Sequence, residues 1–266
     1  MRFVKLFMLV FLLFACQKSE EVKEILVFGH AGMGLSMSQS IYHDNSKEAV
    51  SLALNLPTSN GVEVDVRMSK DGTLWLYHDE LLEAETNGTG CVADLHDDQL
   101  KELAYNTYKK ERLVKLSDVV PLLQEHQVLF LDIKHMNSCQ NKFIDFDLLL
   151  EALNEQVLSY SSQIILICSN EYWLNALTDD YHVVYSTDDL SEGKKVLLNH
   201  PLINGLVVRN ASVSKSDVDW IKEKNRSIYL YDIRSVKGIR QAFRKNPTGI
   251  LSDDLRNALV ERGYAL

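Results

Sequence analysis

The sequence predicts a parallel α/β fold, and three observations predict it. Short apolar runs recur along the whole chain. Many of them are rich in Val, Ile and Leu throughout rather than alternating with polar residues, which suits strands buried on both faces. Amphipathic segments of helical length separate most of the runs, and a β-α alternation of this kind builds either a closed barrel or an open doubly wound sheet.

The runs fall at residues 25–29, 62–66, 74–77, 128–133, 164–168, 183–185, 205–208, 228–231 and 249–251. The clearest helical segments between them cover 46–56, 117–125, 146–155 and 214–224. Ser46 and Ser117 are suitable N-caps, and Ser214 with Asp217 makes an imperfect capping box. Nine runs exceed the eight of a closed barrel, so one is either not a strand or lies outside the barrel. Only Ser69-Lys70-Asp71-Gly72 and its flanks separate the second run from the third, which leaves no room for a helix. Periodicity alone therefore leaves the open sheet standing. No GxGxxG follows the first run, and Gly29-His30-Ala31-Gly32-Met33-Gly34 lacks the GK[ST] ending of a phosphate loop.

Size and charge narrow the function. The 266 residues, 46% hydrophobic and 24% charged, suffice for one large domain, and the net charge of −9 argues against a nucleic-acid partner. An anionic substrate must therefore meet locally placed positive charge. At the N-terminus, Arg2 and Lys5 precede an apolar run ending in Leu13-Phe14-Ala15-Cys16, too short to span a bilayer. This resembles a bacterial lipobox. It implies a signal peptide over 1–15, lipidation of Cys16, a polar tether over 16–24 and a domain over 25–266. The chain is thus expected to be an exported lipoprotein, anchored to a membrane on the periplasmic or cell-surface side. Of the remaining cysteines, Cys168 ends an apolar run and reads as a buried small hydrophobe. Cys91 and Cys139 sit in polar loop sequence and are the pair open to a disulfide outside the cytoplasm.

Polar residues gather at the C-terminal ends of the runs. His30 ends the first. Glu63 and Asp65 lie on the second at i and i+2 and so share a face. His78 and Asp79 follow the third, and Asp132 and Lys134 end the fourth. Singly, each reads as a structural residue. Together, inward-facing carboxylates on adjacent buried strands repel one another unless a cation neutralises them. Three carboxylates suit Mg²⁺ or Ca²⁺ better than Zn²⁺. Two histidines beside such a metal offer an acid and a base near neutral pH, and Lys134 can meet a phosphate oxygen. Metal-assisted cleavage of a phosphodiester is the chemistry this set suits.

At these residues the sequence resembles the glycerophosphodiester phosphodiesterase family. The match runs through Gly29-His30-Ala31-Gly32, His43 to Ala49, Gly61-Val62-Glu63-Val64-Asp65-Val66, Lys70-Asp71-Gly72, His78-Asp79, Thr86 to Gly90 and Leu131-Asp132-Ile133-Lys134. It is weaker at Ile250-Leu251-Ser252-Asp253. The resemblance implies a single-domain TIM-type (β/α)8 barrel with Glu63, Asp65 and Asp132 as metal ligands. It implies His30 and His78 as the catalytic pair and Lys134 as a phosphate contact, with Asp44 and Asn45 on the substrate side. The substrate class implied is a small-molecule phosphodiester. Three residues depart from the family pattern. Ala31 stands where the family has an arginine that meets the phosphate, and Asp44 and Asp132 stand where it has glutamates. Arg67, Arg209 and Arg234 are candidates to replace the lost charge, Arg209 foremost because it ends a strand. Two other readings accompany the leading one. The first is a phospholipase-like enzyme on intact lipid or lysolipid, with Met33, Leu35 and Met37 lining its access path. The second is a barrel that binds such a ligand without turning it over.

Overall fold

The computed structural model describes residues 24–37 and 40–265. The expected signal segment, Cys16 and all of the tether before Glu24 lie outside them. In chain order the elements are β1 (Leu26–Gly29), α1 (Lys47–Leu54), β2 (Gly61–Met68), β3 (Leu74–Leu76), α2 (Asp97–Leu100), β4 (Val114–Lys115), β5 (Val128–Ile133), β6 (Met136–Asn137) and β7 (Lys142–Phe143). There follow α3 (Phe146–Val157), β8 (Ile164–Cys168), α4 (Leu174–Leu177), β9 (His182–Thr187), α5 (Leu190–Asn199), β10 (Gly205–Arg209), α6 (Lys215–Lys222), β11 (Ser227–Ile233), α7 (Val236–Lys245), β12 (Gly249–Ser252) and α8 (Leu255–Ala265).

Eight of the strands pair in parallel in the order β1-β2-β5-β8-β9-β10-β11-β12, and β12 returns to β1. The sheet is closed, which rules out the open alternative. Period-two alternation explains the apolar runs. One face of each strand points outward to the helices, as Val27, Val62, Val64, Leu129, Leu131 and Leu166 do. The other fills the barrel with a second cluster that includes Phe28, Phe130, Ile167, Val207 and Tyr229. Phe130 packs edge-on against both Phe28 and Tyr229, with ring centroids 4.9 Å apart in each case.

The surplus ninth run is β3. It pairs antiparallel with the far end of β2, with Leu76 opposite Val66 and Leu74 opposite Met68. A tight turn permits an antiparallel hairpin, whereas a parallel return needs a crossover of a dozen or more residues. The long excursion between β2 and β5 builds a small core of its own around Trp75, Tyr77, Leu82, Leu100 and Tyr105. Asp97 pins it: its carboxylate accepts from the Ser69 and Thr73 hydroxyls, Trp75 Nε1 and Lys115 Nζ. A Cys91–Cys139 disulfide then joins the excursion to the loop between β6 and β7.

Helix starts follow their caps. Ser46 accepts from Ala49 N, Asp145 accepts from the first turn of α3, and both halves of the Ser214–Asp217 capping box form. The helix expected over 117–125 is instead two 3₁₀ turns, Leu116–Asp118 and Val120–Leu122. Pro121 lacks the N–H a continuing α-helix would need there. No helix among the described residues is long and apolar enough to cross a membrane.

Candidate active site

The site sits at the C-terminal mouth of the barrel, where the inward-facing positions switch from apolar to charged. His30 leaves β1 at this level. Its Nδ1 lies 2.8 Å from Asp253 Oδ1, just past β12, and its Nε2 lies 3.8 Å from Glu63 Oε2. The following turn is tight. Ala31 adopts φ 48° and donates its N–H to Glu63 Oε2 at 2.8 Å. Gly34 has φ 130°, and a Cβ there would stand 2.1 Å from the Asp253 carbonyl oxygen. That close approach lets Leu35 N–H reach Asp253 Oδ1 at 3.1 Å. Burial works against a charge on His30. The hydrogen bond to Asp253 and the charges of Glu63, Asp253 and Asp65 outweigh it and raise the imidazole to about 9.

Glu63 and Asp65 project from β2, and Asp65 is in register with Asp132 on β5. Oxygens of all three carboxylates lie within 4.8 Å of one another. Lys134 Nζ bridges the outer two, 2.8 Å from Asp65 Oδ1 and 2.7 Å from Asp132 Oδ2. Burial, and then the charge of Asp65, pushes Glu63 upward. Asp65 is pulled the other way despite its burial, by Lys134, by His78 and by hydrogen bonds from Lys134 and Asn45. Three carboxylates converge here with a single lysine between two of them, and their mutual repulsion is part of what pushes Glu63 upward. That convergence, and an all-oxygen donor set, fit a hard divalent cation. The shorter side chain of Asp132 still reaches the cluster.

His78 arrives by a different route from the one expected. Its run is the antiparallel β3, so the excursion, not a barrel strand, delivers it. Its Nδ1 lies 2.7 Å from Asp79 Oδ1, and Arg67 holds its backbone oxygen at 2.8 Å. Both histidines therefore have Nδ1 tied to an aspartate, and Nε2 of His30 lies beside Glu63.

A cavity of about 260 Å³ is lined by His30, Glu63, Asp65, His78, Asp132 and Lys134, and also by Arg209, Tyr231 and Arg234. Arg209 ion-pairs with Asp188 and Asp232, and its guanidinium lies 5.1 Å from the Tyr231 ring centre. Arg67 does not line the cavity; it is buried and bonded to the His78 and Met136 carbonyls. Nor do the other two residues expected beside the substrate. Asn45 is wholly buried and clamps Asp65, with Nδ2 donating to Oδ2 at 2.7 Å and Oδ1 accepting from Asp65 N at 2.9 Å. Asp44 is buried, accepts Ser36 N–H at 2.7 Å and faces His43 and Glu85. Burial and the nearby Asp44 push Glu85 up to about 7. Leu35 lines the cavity, whereas Met33 and Met37 border a neighbouring hollow beside Leu255. Sequence reasoning missed Asp253 as the partner of His30, although it too ends a barrel strand at the mouth.

A sequence model of the glycerophosphoryl diester phosphodiesterase family matches residues 30–257. A glycerophosphodiester phosphodiesterase of Bacillus altitudinis is 24% identical over 244 residues, covering 85% of this chain and 94% of its own length. One from Caldanaerobacter subterraneus is 30% identical over 109 residues, 39% of this chain and 42% of its own. Among solved structures, a glycerophosphoryl diester phosphodiesterase homologue of Agrobacterium tumefaciens superposes with a TM-score of 0.77 at 13% identity, over 90% of this chain and 98% of that one. An Oleispira antarctica phosphodiesterase in complex with the product sn-glycerol-3-phosphate gives 0.74 at 18% identity, over 88% and 95%. The family match spans the barrel from His30 through β12 into α8, and it places this chain in the glycerophosphoryl diester phosphodiesterase family of phosphoric diester hydrolases.

Proposed function

We propose that the protein hydrolyses a glycerophosphodiester to an alcohol and a phosphomonoester, with His30 and His78 sharing the acid–base work. The observation that carries this reading is the convergence of two histidine–aspartate pairs, three carboxylates and Lys134 on one small cavity. Glu63, Asp65 and Asp132 would hold Mg²⁺ or Ca²⁺, which when bound neutralises charge on the phosphoryl oxygens. Lys134 offers its ammonium to a non-bridging oxygen. Asp253 and Asp79 fix the ring orientation of the two histidines, so that each presents Nε2 to the cavity. One Nε2 takes a proton from the attacking water; the other gives one to the departing alkoxide as the phosphorus–oxygen bond breaks. Arg209 and Arg234, which also line the cavity, would supply the positive charge that Ala31 lacks.

The location we propose is outside the cytoplasm, with the chain held on a membrane through Cys16. The charged start, short apolar run and cysteine support this. A Cys91–Cys139 disulfide suits an oxidising compartment. Incorporation of labelled fatty acid that is lost in Cys16→Ala tests the anchor.

The activity test is product release from a panel of glycerophosphodiesters and lysophospholipids by the full chain in mild detergent, with Mg²⁺, Ca²⁺ or EDTA. Metal-dependent release that disappears in His30→Ala and His78→Ala is expected. Full activity in both variants would sink the reading, and preference for lysolipid would move the substrate class to intact lipids.

A further inference from the structure

A second cluster of ligating side chains lies behind the mouth, and the proposed hydrolysis makes no use of it. His43 and Asp44 come from the loop between β1 and α1. Glu85 comes from the excursion that carries His78. One ligand atom from each lies within 4.8 Å of the others. Three polar oxygens here are buried and have no hydrogen-bond partner: Asp44 Oδ1, Glu85 Oε2 and the Tyr105 hydroxyl. Asp44 is only 6% exposed and Tyr105 is fully buried. Each such atom costs about 1–3 kcal/mol if nothing satisfies it, and three in one place ask for a common partner.

The charges point the same way. Among the described residues, no lysine or arginine pairs with Asp44 or Glu85; each carboxylate is matched only to the single imidazole of His43. That imidazole is held as a metal ligand needs to be held. Its Nδ1 lies 2.8 Å from the Asp44 carbonyl, an oxygen that can only accept, and 3.2 Å from Asp44 Oδ1, so Nδ1 keeps a proton and Nε2 is the nitrogen a metal would take, in exchange for any proton it carries. Nε2 lies 3.9 Å from Glu85 Oε1, room enough for an ion between them. The ring is stacked on Tyr105 at 3.7 Å and 11°, and the His43 backbone N–H is bound to Glu111 at 3.0 Å. The nitrogen is therefore aimed before any ligand arrives.

We propose that His43, Asp44 and Glu85 form a second cation site, for a divalent transition metal of the Zn²⁺ or Mn²⁺ class. One imidazole nitrogen with two carboxylate oxygens is a softer set than the all-oxygen trio of Glu63, Asp65 and Asp132, so the two sites sort metals by ligand type. The new site would neutralise the Asp44–Glu85 pair and tie the β1–α1 loop to the excursion. Asp44 is followed directly by Asn45, the residue that clamps Asp65, so the second ion would stiffen the support of the first.

The test is a calorimetric titration of the metal-stripped, untagged full chain with Zn²⁺. Two equivalents are expected for the native protein. His43→Gln and Glu85→Gln should each abolish one of them, while Glu63→Gln should leave that one in place. Circular dichroism confirms folding, and if one variant unfolds the other decides. A single equivalent that Glu63→Gln removes overturns the proposal. So do two equivalents that persist, within about twofold in affinity, in both His43→Gln and Glu85→Gln. Because the readout is binding, it stands or falls apart from the hydrolase reading.

Discussion

Asn45 holds Asp65 by two hydrogen bonds at once, one to the carboxylate and one to the backbone N–H. It does so from φ 55°, a left-handed conformation that asparagine tolerates better than most residues. Asp65 must share space with Glu63 and Asp132, so its orientation sets the geometry of the whole carboxylate trio. Asn45→Ala is expected to weaken metal affinity or activity by about 10–100-fold, as loss of a ligand's supporting hydrogen bond commonly does. Titration of Mg²⁺ dependence checks this: the Mg²⁺ concentration for half-maximal rate should rise.

Asp253 governs the state of His30. In Asp253→Asn the amide oxygen can still accept from Nδ1 but no longer offsets the charge of the imidazolium, and the pKa of His30 should fall from about 9. Turnover is expected to drop by about 100-fold or more, the usual worth of a positioned acid–base group. KM should move far less. The pH–rate profile measured on the variant is the check, and an unchanged profile would count against the pairing.

Asp97 makes acid stability a property of the excursion. Burial tends to raise its pKa, yet bonds from Lys115, Thr73, Trp75 and Ser69 hold it well below the usual carboxylate value. A depressed folded-state pKa gives stability that is fully present above the unfolded value, near about 4, and is lost as pH falls through lower values. Asp97→Asn should cost about 2 kcal/mol at pH 7, the scale of a hydrogen-bonded charge. It should also flatten the decline below about pH 4. Urea denaturation at pH 7, 5 and 3.5 reads both effects.

The Cys91–Cys139 bond closes a loop with a sequence separation of 48 residues. Chain entropy alone sets its contribution at about 4 kcal/mol as an upper figure. Replacing both cysteines with alanine is expected to lower the denaturation midpoint, and dithiothreitol should reproduce the shift in the native protein. Cys168, buried and unpaired, should contribute nothing to the difference.

Much of the site was legible because strands have a strict period of two. Glu63 and Asp65, and Asp132 and Lys134, had to share a face, and their neighbours Val64 and Ile133 had to face the helices. The route taken by His78 was not legible in the same way, since an apolar run of four residues looks the same whether it pairs parallel or antiparallel. Asn45 was misjudged for a related reason: local sequence shows a polar residue near the mouth but not whether it meets ligand or another side chain. The meeting of His43 with Glu85 depends on folding the excursion back over the β1–α1 loop, a contact between positions 42 residues apart. Asp253 lay within reach of the strand-end argument and needed only to be carried to the last strand.

The His30–Asp253 pair spans 223 residues of sequence. The imidazole is made almost first and its carboxylate almost last, so a ribosome-bound chain carries Glu63, Asp65 and Asp132 long before it carries the partner of His30. A shortened product ending before β12 would leave the ring open beside β1 and His30 without its aspartate, and on the proposed reading it would be born inert.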